Sequence, residues 1–64
     1  MASFKLRFKT ADGRDKTITE NHPKIDATTQ QKSDAMTTIE NLYGYTPVAI
    51  DLNSDTTVWT ASDL

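Results

Sequence analysis

The fold is decided by the stretch FKLRFKTADG, residues 4–13. Its first six residues alternate between three apolar and three cationic side chains: Phe4, Leu6 and Phe8 against Lys5, Arg7 and Lys9. A period of two predicts a β-strand with one buried face and one face open to solvent. The remaining four residues predict a tight turn in which Gly13 takes a positive φ.

A second strand follows this turn and completes a hairpin. A three-residue loop at 11–13 places Leu6 opposite Ile18 and puts Thr17 and Thr19 on the cationic face. A two-residue loop would instead place Ile18 among the cations, so we predict the three-residue loop. Pro23 ends the strand, because proline cannot donate to the ladder of a sheet.

The next periodic segment predicts a helix. Its apolar residues recur at the spacing of one helical face, and they are Ala35, Met36, Ile39, Leu42 and Tyr43. Two starts remain open: Thr28 with Gln31 forms a capping box, whereas Asp26 would cap a slightly longer helix. Gly44 is expected to end the helix in the left-handed conformation.

A second hairpin is predicted after the helix. Val48, Ile50 and Leu52 alternate as one strand face, residues 53–55 form a turn, and residues 56–61 form the last strand. A loop of two or four residues would place Trp59 opposite Ile50 in the core. A loop of three residues would expose it, and the sequence leaves both registers open.

The order strand, strand, helix, strand, strand predicts one small α+β domain over residues 1–64, of ββαββ type. We expect a β-grasp-like arrangement, in which a four-stranded mixed sheet is covered on one face by the helix. In this arrangement the first and last strands pair in parallel at the centre, through a right-handed connection.

Two resemblances accompany this layout. It resembles the immunoglobulin-binding domains of streptococcal protein G and peptostreptococcal protein L, whose helix opens with a segment similar to residues 25–29, IDATT. This implies the β-grasp fold, but none of the residues with which those domains bind antibody can be matched here. The chain also resembles short uncharacterised proteins of Gram-positive bacteria, grouped as a domain of unknown function. The similar segments are residues 9–13, 26–28, 35–36 and 63–64, and the resemblance implies a small cytoplasmic accessory protein.

The composition argues against catalysis and metal binding. There is no cysteine, and the single histidine, His22, precedes a proline in a linker without a positioned partner other than the nearby Glu20. The two glycines are too far apart for a phosphate-binding loop. We therefore expect no enzyme activity, no cofactor and no metal. No apolar run approaches the roughly 20 residues of a membrane span, so we expect no membrane contact and a cytoplasmic location.

The remaining hypothesis is a protein-interaction module. All seven basic residues lie in the first half of the chain, and the predicted site on the outer sheet face consists of Lys5, Arg7, Lys9 and Trp59. A tryptophan among cations suits an anionic protein surface, and it also suits single-stranded nucleic acid, although the acidic second half of the chain counts against the latter. Immunoglobulin binding is a further alternative. The protein is expected to be a monomer or a weak dimer that associates through a sheet edge.

Overall fold

Four strands and one helix follow one another in the predicted order in the computed structural model, which describes residues 2–64. The strands are β1 (Phe4–Lys9), β2 (Asp15–Glu20), β3 (Thr46–Leu52) and β4 (Thr56–Thr60). The helix α1 spans Thr29–Tyr43, and a short 3-10 turn at Ala61–Asp63 follows β4. The α+β class and the ββαββ order are therefore confirmed.

The order of strands in the sheet corrects the β-grasp prediction. The strands are arranged β2-β1-β3-β4, and every neighbouring pair is antiparallel. The expected mixed sheet would have placed β4 beside β1 in parallel, whereas β3 lies there instead, with Leu6 opposite Ile50.

Composition explains why β3 takes the central position. It contributes the buried side chains of Pro47, Ala49 and Ile50, whereas three of the five residues of β4 are threonines. A strand rich in threonine is better suited to an edge, where its polar side chains remain in water. The amide of Asn53 also donates to the Ser3 carbonyl over 2.9 Å, which ties the β3–β4 turn to the start of β1.

Two β-bulges set the registers of β3. The first places Val48 as an extra residue between the pairs Arg7–Ala49 and Phe8–Pro47. Val48 is therefore not in the core cluster, contrary to the predicted alternation with Ile50 and Leu52. A bulge beside a proline is a common arrangement, because the ladder is already interrupted there.

The second bulge decides the position of Trp59. The β3–β4 loop has three residues, and Asn53 and Ser54 within it take positive φ angles of 54° and 67°. Such a loop alone would have exposed Trp59. An extra residue at Val58 shifts the register by one, so that Trp59 faces Ile50 in the core.

The first hairpin and the helix ends agree with the predictions. Leu6 lies opposite Ile18, and Gly13 has a φ of 84°. The helix begins with the capping box of Thr28 and Gln31, which settles the choice of start, and it ends at Gly44 with a φ of 73°.

The core lies between the sheet and only part of the predicted helical face. Trp59, Phe8, Met36 and Ile50 are its most deeply buried large side chains. Leu42 and Tyr43, which belong to the predicted apolar face, are instead exposed by 70% and 63%. The ring of Tyr43 instead stacks on Tyr45, with ring centroids 5.5 Å apart.

Candidate functional site

The three predicted cations do share the outer face of β1. Lys5, Arg7 and Lys9 alternate with buried apolar residues, and each of them has a polar partner on a neighbouring strand. Lys5 Nζ donates to Thr19 Oγ1 over 3.3 Å, and Lys9 Nζ lies 2.5 Å from Asp15 Oδ1. The Lys9 ammonium holds the pKa of the Asp15 carboxyl below its ordinary value, through a hydrogen bond and its charge.

Arg7 is paired with Asp51 on β3. Its Nε lies 2.9 Å from Asp51 Oδ2 without the alignment of a hydrogen bond, and its Nη2 donates to Oδ1 over 3.4 Å. The same carboxylate accepts a hydrogen bond of 2.9 Å from the Thr57 hydroxyl. Two of the three predicted cations are therefore balanced by carboxylates on the same face, which lowers its attraction for an anionic partner.

Trp59, the fourth predicted residue, is not on the outer face. Its side chain is 1% exposed, and its Nε1 donates a hydrogen bond of 2.9 Å to Ser33 Oγ on α1. The sequence left open whether Trp59 is exposed or lies in the core, and in the structure it lies in the core. The predicted outer-face platform accordingly lacks its aromatic group.

The hydrogen bond between Trp59 and Ser33 also bears on the placement of the helix. Trp59 belongs to β4, at one edge of the sheet, and Met36 packs in the same core cluster. Together these contacts hold α1 over β3 and the 3-10 turn, which are its closest backbone neighbours. The inner surface of β2, at the opposite edge, is consequently not covered by the helix.

An apolar groove of about 380 Å³ lies in this uncovered region, between α1 and β2. Its floor is formed by side chains of the sheet: Phe4, Leu6, Ile18 and Ile50. Ala35 and Ile39 of α1 form one wall, and Pro23 and Ala27 of the β2–α1 loop close one end. An apolar concavity with a few polar groups at its rim is the usual form of a binding site.

The polar side chains at the rim of the groove include four ionisable ones: Glu20, His22, Lys24 and Lys32. Within residues 2–64, neither lysine ammonium lies within 4 Å of a carboxylate oxygen. Glu20 and His22 are close to each other, and the contact involves the backbone of His22. Glu20 Oε1 accepts a hydrogen bond of 2.9 Å from the His22 amide. The unpaired ammonium groups favour an acidic residue beside whatever fills the groove.

The groove was not predicted from the sequence, because the apolar residues of α1 have the spacing of a single helix face. In the structure Met36 is buried in the core, Ile39 packs against the core and also lines the groove, and the exposed Ala35 lines the groove. The exposed Leu42 follows Ile39 three residues later, on the same side of the helix. The spacing of these residues gave no signal of the groove, because they fall within one apolar stripe of ordinary width.

No group of three or more His, Cys, Asp or Glu side chains suited to a metal ion occurs in the described part of the chain. None of the helical segments in residues 2–64 has the length and apolar character to cross a membrane. Comparison with protein-family models, with curated proteins and with solved structures gave no match to this chain.

Proposed function

We propose that the protein is a non-enzymatic interaction module, and that it binds an apolar segment of a partner protein in the groove between α1 and β2. The observation that carries this proposal is the apolar surface of Ile18, Ala35 and Ile39, which line the groove and are partly or fully exposed above the buried side chains of the sheet. Apolar surface left in contact with water is unfavourable by about 25 cal/mol per Å², so a partner side chain that covers it gains free energy. Exposed apolar concavities on small domains are typical of docking sites.

The charges at the rim support a partner with an acidic residue beside its apolar segment. Lys24 of the β2–α1 loop and Lys32 of α1 both line the groove, and both lack an internal carboxylate partner in the described residues. A carboxylate of the partner beside either lysine would gain a charge contact without breaking an existing ion pair. This would orient the partner in the groove as well as strengthen the complex.

The outer face offers weaker support as the binding surface. Arg7 and Lys9 already contact Asp51 and Asp15, so a partner would have to compete with these carboxylates. The buried position of Trp59 also removes the stacking group on which single-stranded nucleic-acid binding was to rest. We therefore place the proposed protein contact in the groove.

A charge placed inside the groove tests the proposal. Ala35 is exposed and lines the groove, so Ala35→Glu adds a carboxylate there without disturbing the core. Asn41→Glu is the matched control, because Asn41 is exposed on the same helix and does not line the groove. Proteins captured by the immobilised wild-type chain from the cells that produce it are compared with those captured by each variant.

We expect Ala35→Glu to lose a partner that both the wild type and Asn41→Glu retain. A partner that is retained by Ala35→Glu would contradict the groove assignment. If that partner is lost when Lys5, Arg7 and Lys9 are all replaced by glutamate, the contact belongs to the outer face instead. Circular dichroism of each variant checks that the fold is intact.

A further inference from the structure

Among residues 2–64, no strand pairs with one side of the β2 backbone, because β2 is an edge strand. The amide of Thr10 donates to the Arg14 carbonyl over 2.8 Å at the base of the first hairpin. In an antiparallel pair, hydrogen-bonded positions alternate along the strands. Residues 16, 18 and 20 therefore bond to β1, and Thr17 and Thr19 direct their amide and carbonyl groups outward.

The sequence of β2 is complementary to itself when it is read in the opposite direction. Residues 16–20 are KTITE, with a cation at one end, an anion at the other and Ile18 in the middle. If two such strands pair antiparallel about Ile18, Lys16 of each lies opposite Glu20 of the other. Ile18 then lies opposite Ile18, and Thr17 lies opposite Thr19 on both sides.

The free backbone groups select this same register. Two edge strands can form backbone hydrogen bonds only where outward-directed residues lie opposite each other. Thr17 and Thr19 must therefore lie opposite outward-directed residues of the second strand. A shift by two residues satisfies the backbone as well, but it places Lys16 opposite Ile18 or Ile18 opposite Glu20. Only the pairing centred on Ile18 combines the hydrogen bonds with two opposite-charge pairs and an apolar pair.

We propose that the edge of β2 binds a second copy of this chain, forming a two-fold dimer with a continuous eight-stranded antiparallel sheet. The two-fold axis is perpendicular to the sheet, so both helices lie on the same face. Ile18 lines the groove of each copy, so the pairing of Ile18 with Ile18 joins the two grooves into one apolar surface. This inference rests on the strand edge, and it does not require the proposed partner in the groove.

Strand pairing of this kind buries a modest area. Stable interfaces bury about 1,200–2,000 Å² in total, and pairing of one short strand from each copy gives less. We therefore expect a dimer that dissociates on dilution, with the two Lys16–Glu20 contacts contributing to its affinity and fixing its register.

Two variants with reversed charges at the proposed strand pair, measured separately and as a mixture, test the dimer. Lys16→Glu brings four carboxylates together at the strand pair, and Glu20→Lys brings four ammonium groups together. Both positions are exposed, so neither change disturbs the core. Asp55→Lys changes the net charge as Glu20→Lys does, but in the β3–β4 turn, and it serves as the matched control.

Sedimentation velocity over a range of concentrations up to millimolar measures the result. We expect the wild type and Asp55→Lys to show a mass that rises toward the dimer, and each β2 variant to dimerise about tenfold more weakly or worse. A mixture of Lys16→Glu with Glu20→Lys should form the heterodimer at wild-type concentrations. A wild type that stays monomeric throughout would overturn the proposal, as would β2 variants that dimerise like the wild type.

Discussion

Replacing Ser33 with alanine removes the oxygen that accepts a hydrogen bond of 2.9 Å from the buried indole of Trp59. The indole N–H would then lie in the core without this partner. Leaving a buried donor unsatisfied costs about 1–3 kcal/mol. Alanine has a higher helix propensity than serine, which raises the free energy of unfolding by a few tenths of a kcal/mol, up to about 0.5. The net loss expected in the free energy of unfolding is about 1–2 kcal/mol.

That loss is large for a chain of this length, because a single core of this size supplies about 3–5 kcal/mol in total. It corresponds to a fall in Tm of roughly 4–16 °C. Urea unfolding followed by circular dichroism measures it, with Asn41→Ala as the control for helix propensity at an exposed position of α1. A double-mutant cycle with Trp59→Phe isolates the hydrogen bond, since Ser33→Ala should cost about 1 kcal/mol less once the indole N–H is gone.

An unchanged or increased stability of Ser33→Ala relative to Asn41→Ala would refute this reasoning. It would mean that the Trp59 indole is not held by α1. The explanation of why the helix lies over β3 and leaves β2 uncovered would then lose its main contact.

Three smaller predictions concern the helix ends and the outer face. Thr28→Ala removes one half of the capping box and should lower the free energy of unfolding by about 1 kcal/mol, measured by urea titration. In Gly44→Ala the added Cβ meets no neighbouring atom of residues 2–64 within 4 Å, but the backbone keeps a φ of 73°, so the left-handed backbone alone should cost about 1–2 kcal/mol, and Gly44→Asn should cost less. The pKa of Asp15 is lowered in the folded state by Lys9, so this pair stabilises the fold above the unfolded-state pKa. The contribution disappears as the pH falls through the folded-state pKa, and an NMR titration of the Asp15 carboxyl should shift upward in Lys9→Gln.

Local features of the fold could be predicted from sequence because each depends on a few neighbouring residues. The alternation in β1, the three-residue loop closed by Gly13 and the capping box at Thr28 are all of this kind. The pairing of β1 with β3 could not be predicted in the same way. It depends on which strand is less destabilised at an edge of the sheet, and both candidate partners of β1 carry a large buried side chain, Ile50 in β3 and Trp59 in β4.

The two β-bulges account for the remaining differences between the predicted and the observed strand registers. The extra residue at Val58 changes the register without altering the residues of the loop, and it turns Trp59 from an exposed into a buried position. The predicted outer-face site therefore lacks its aromatic member, because the position of Trp59 depended on that register. Its cations were placed correctly, but their pairing with Asp51 and Asp15 depended on which strands flank β1.

The groove was not predictable from periodicity alone, since Ala35 and Ile39 have the same spacing relative to Met36 whether they contact a sheet or solvent. Its existence depends on where along the sheet the helix is held. That position reflects a contact between residues 26 apart in the chain, the hydrogen bond from Trp59 to Ser33.

Site-specific photo-crosslinking tests the central claim, that the groove is the protein-binding surface, most directly. A photo-reactive benzoylphenylalanine is placed in separate proteins at position 35 in the groove, at position 41 on the far side of the helix, and at position 5 on the outer face. If the groove is the binding surface, one partner crosslinks from position 35 and not from positions 41 or 5. A partner that crosslinks from position 5 and not from position 35 would contradict the groove assignment.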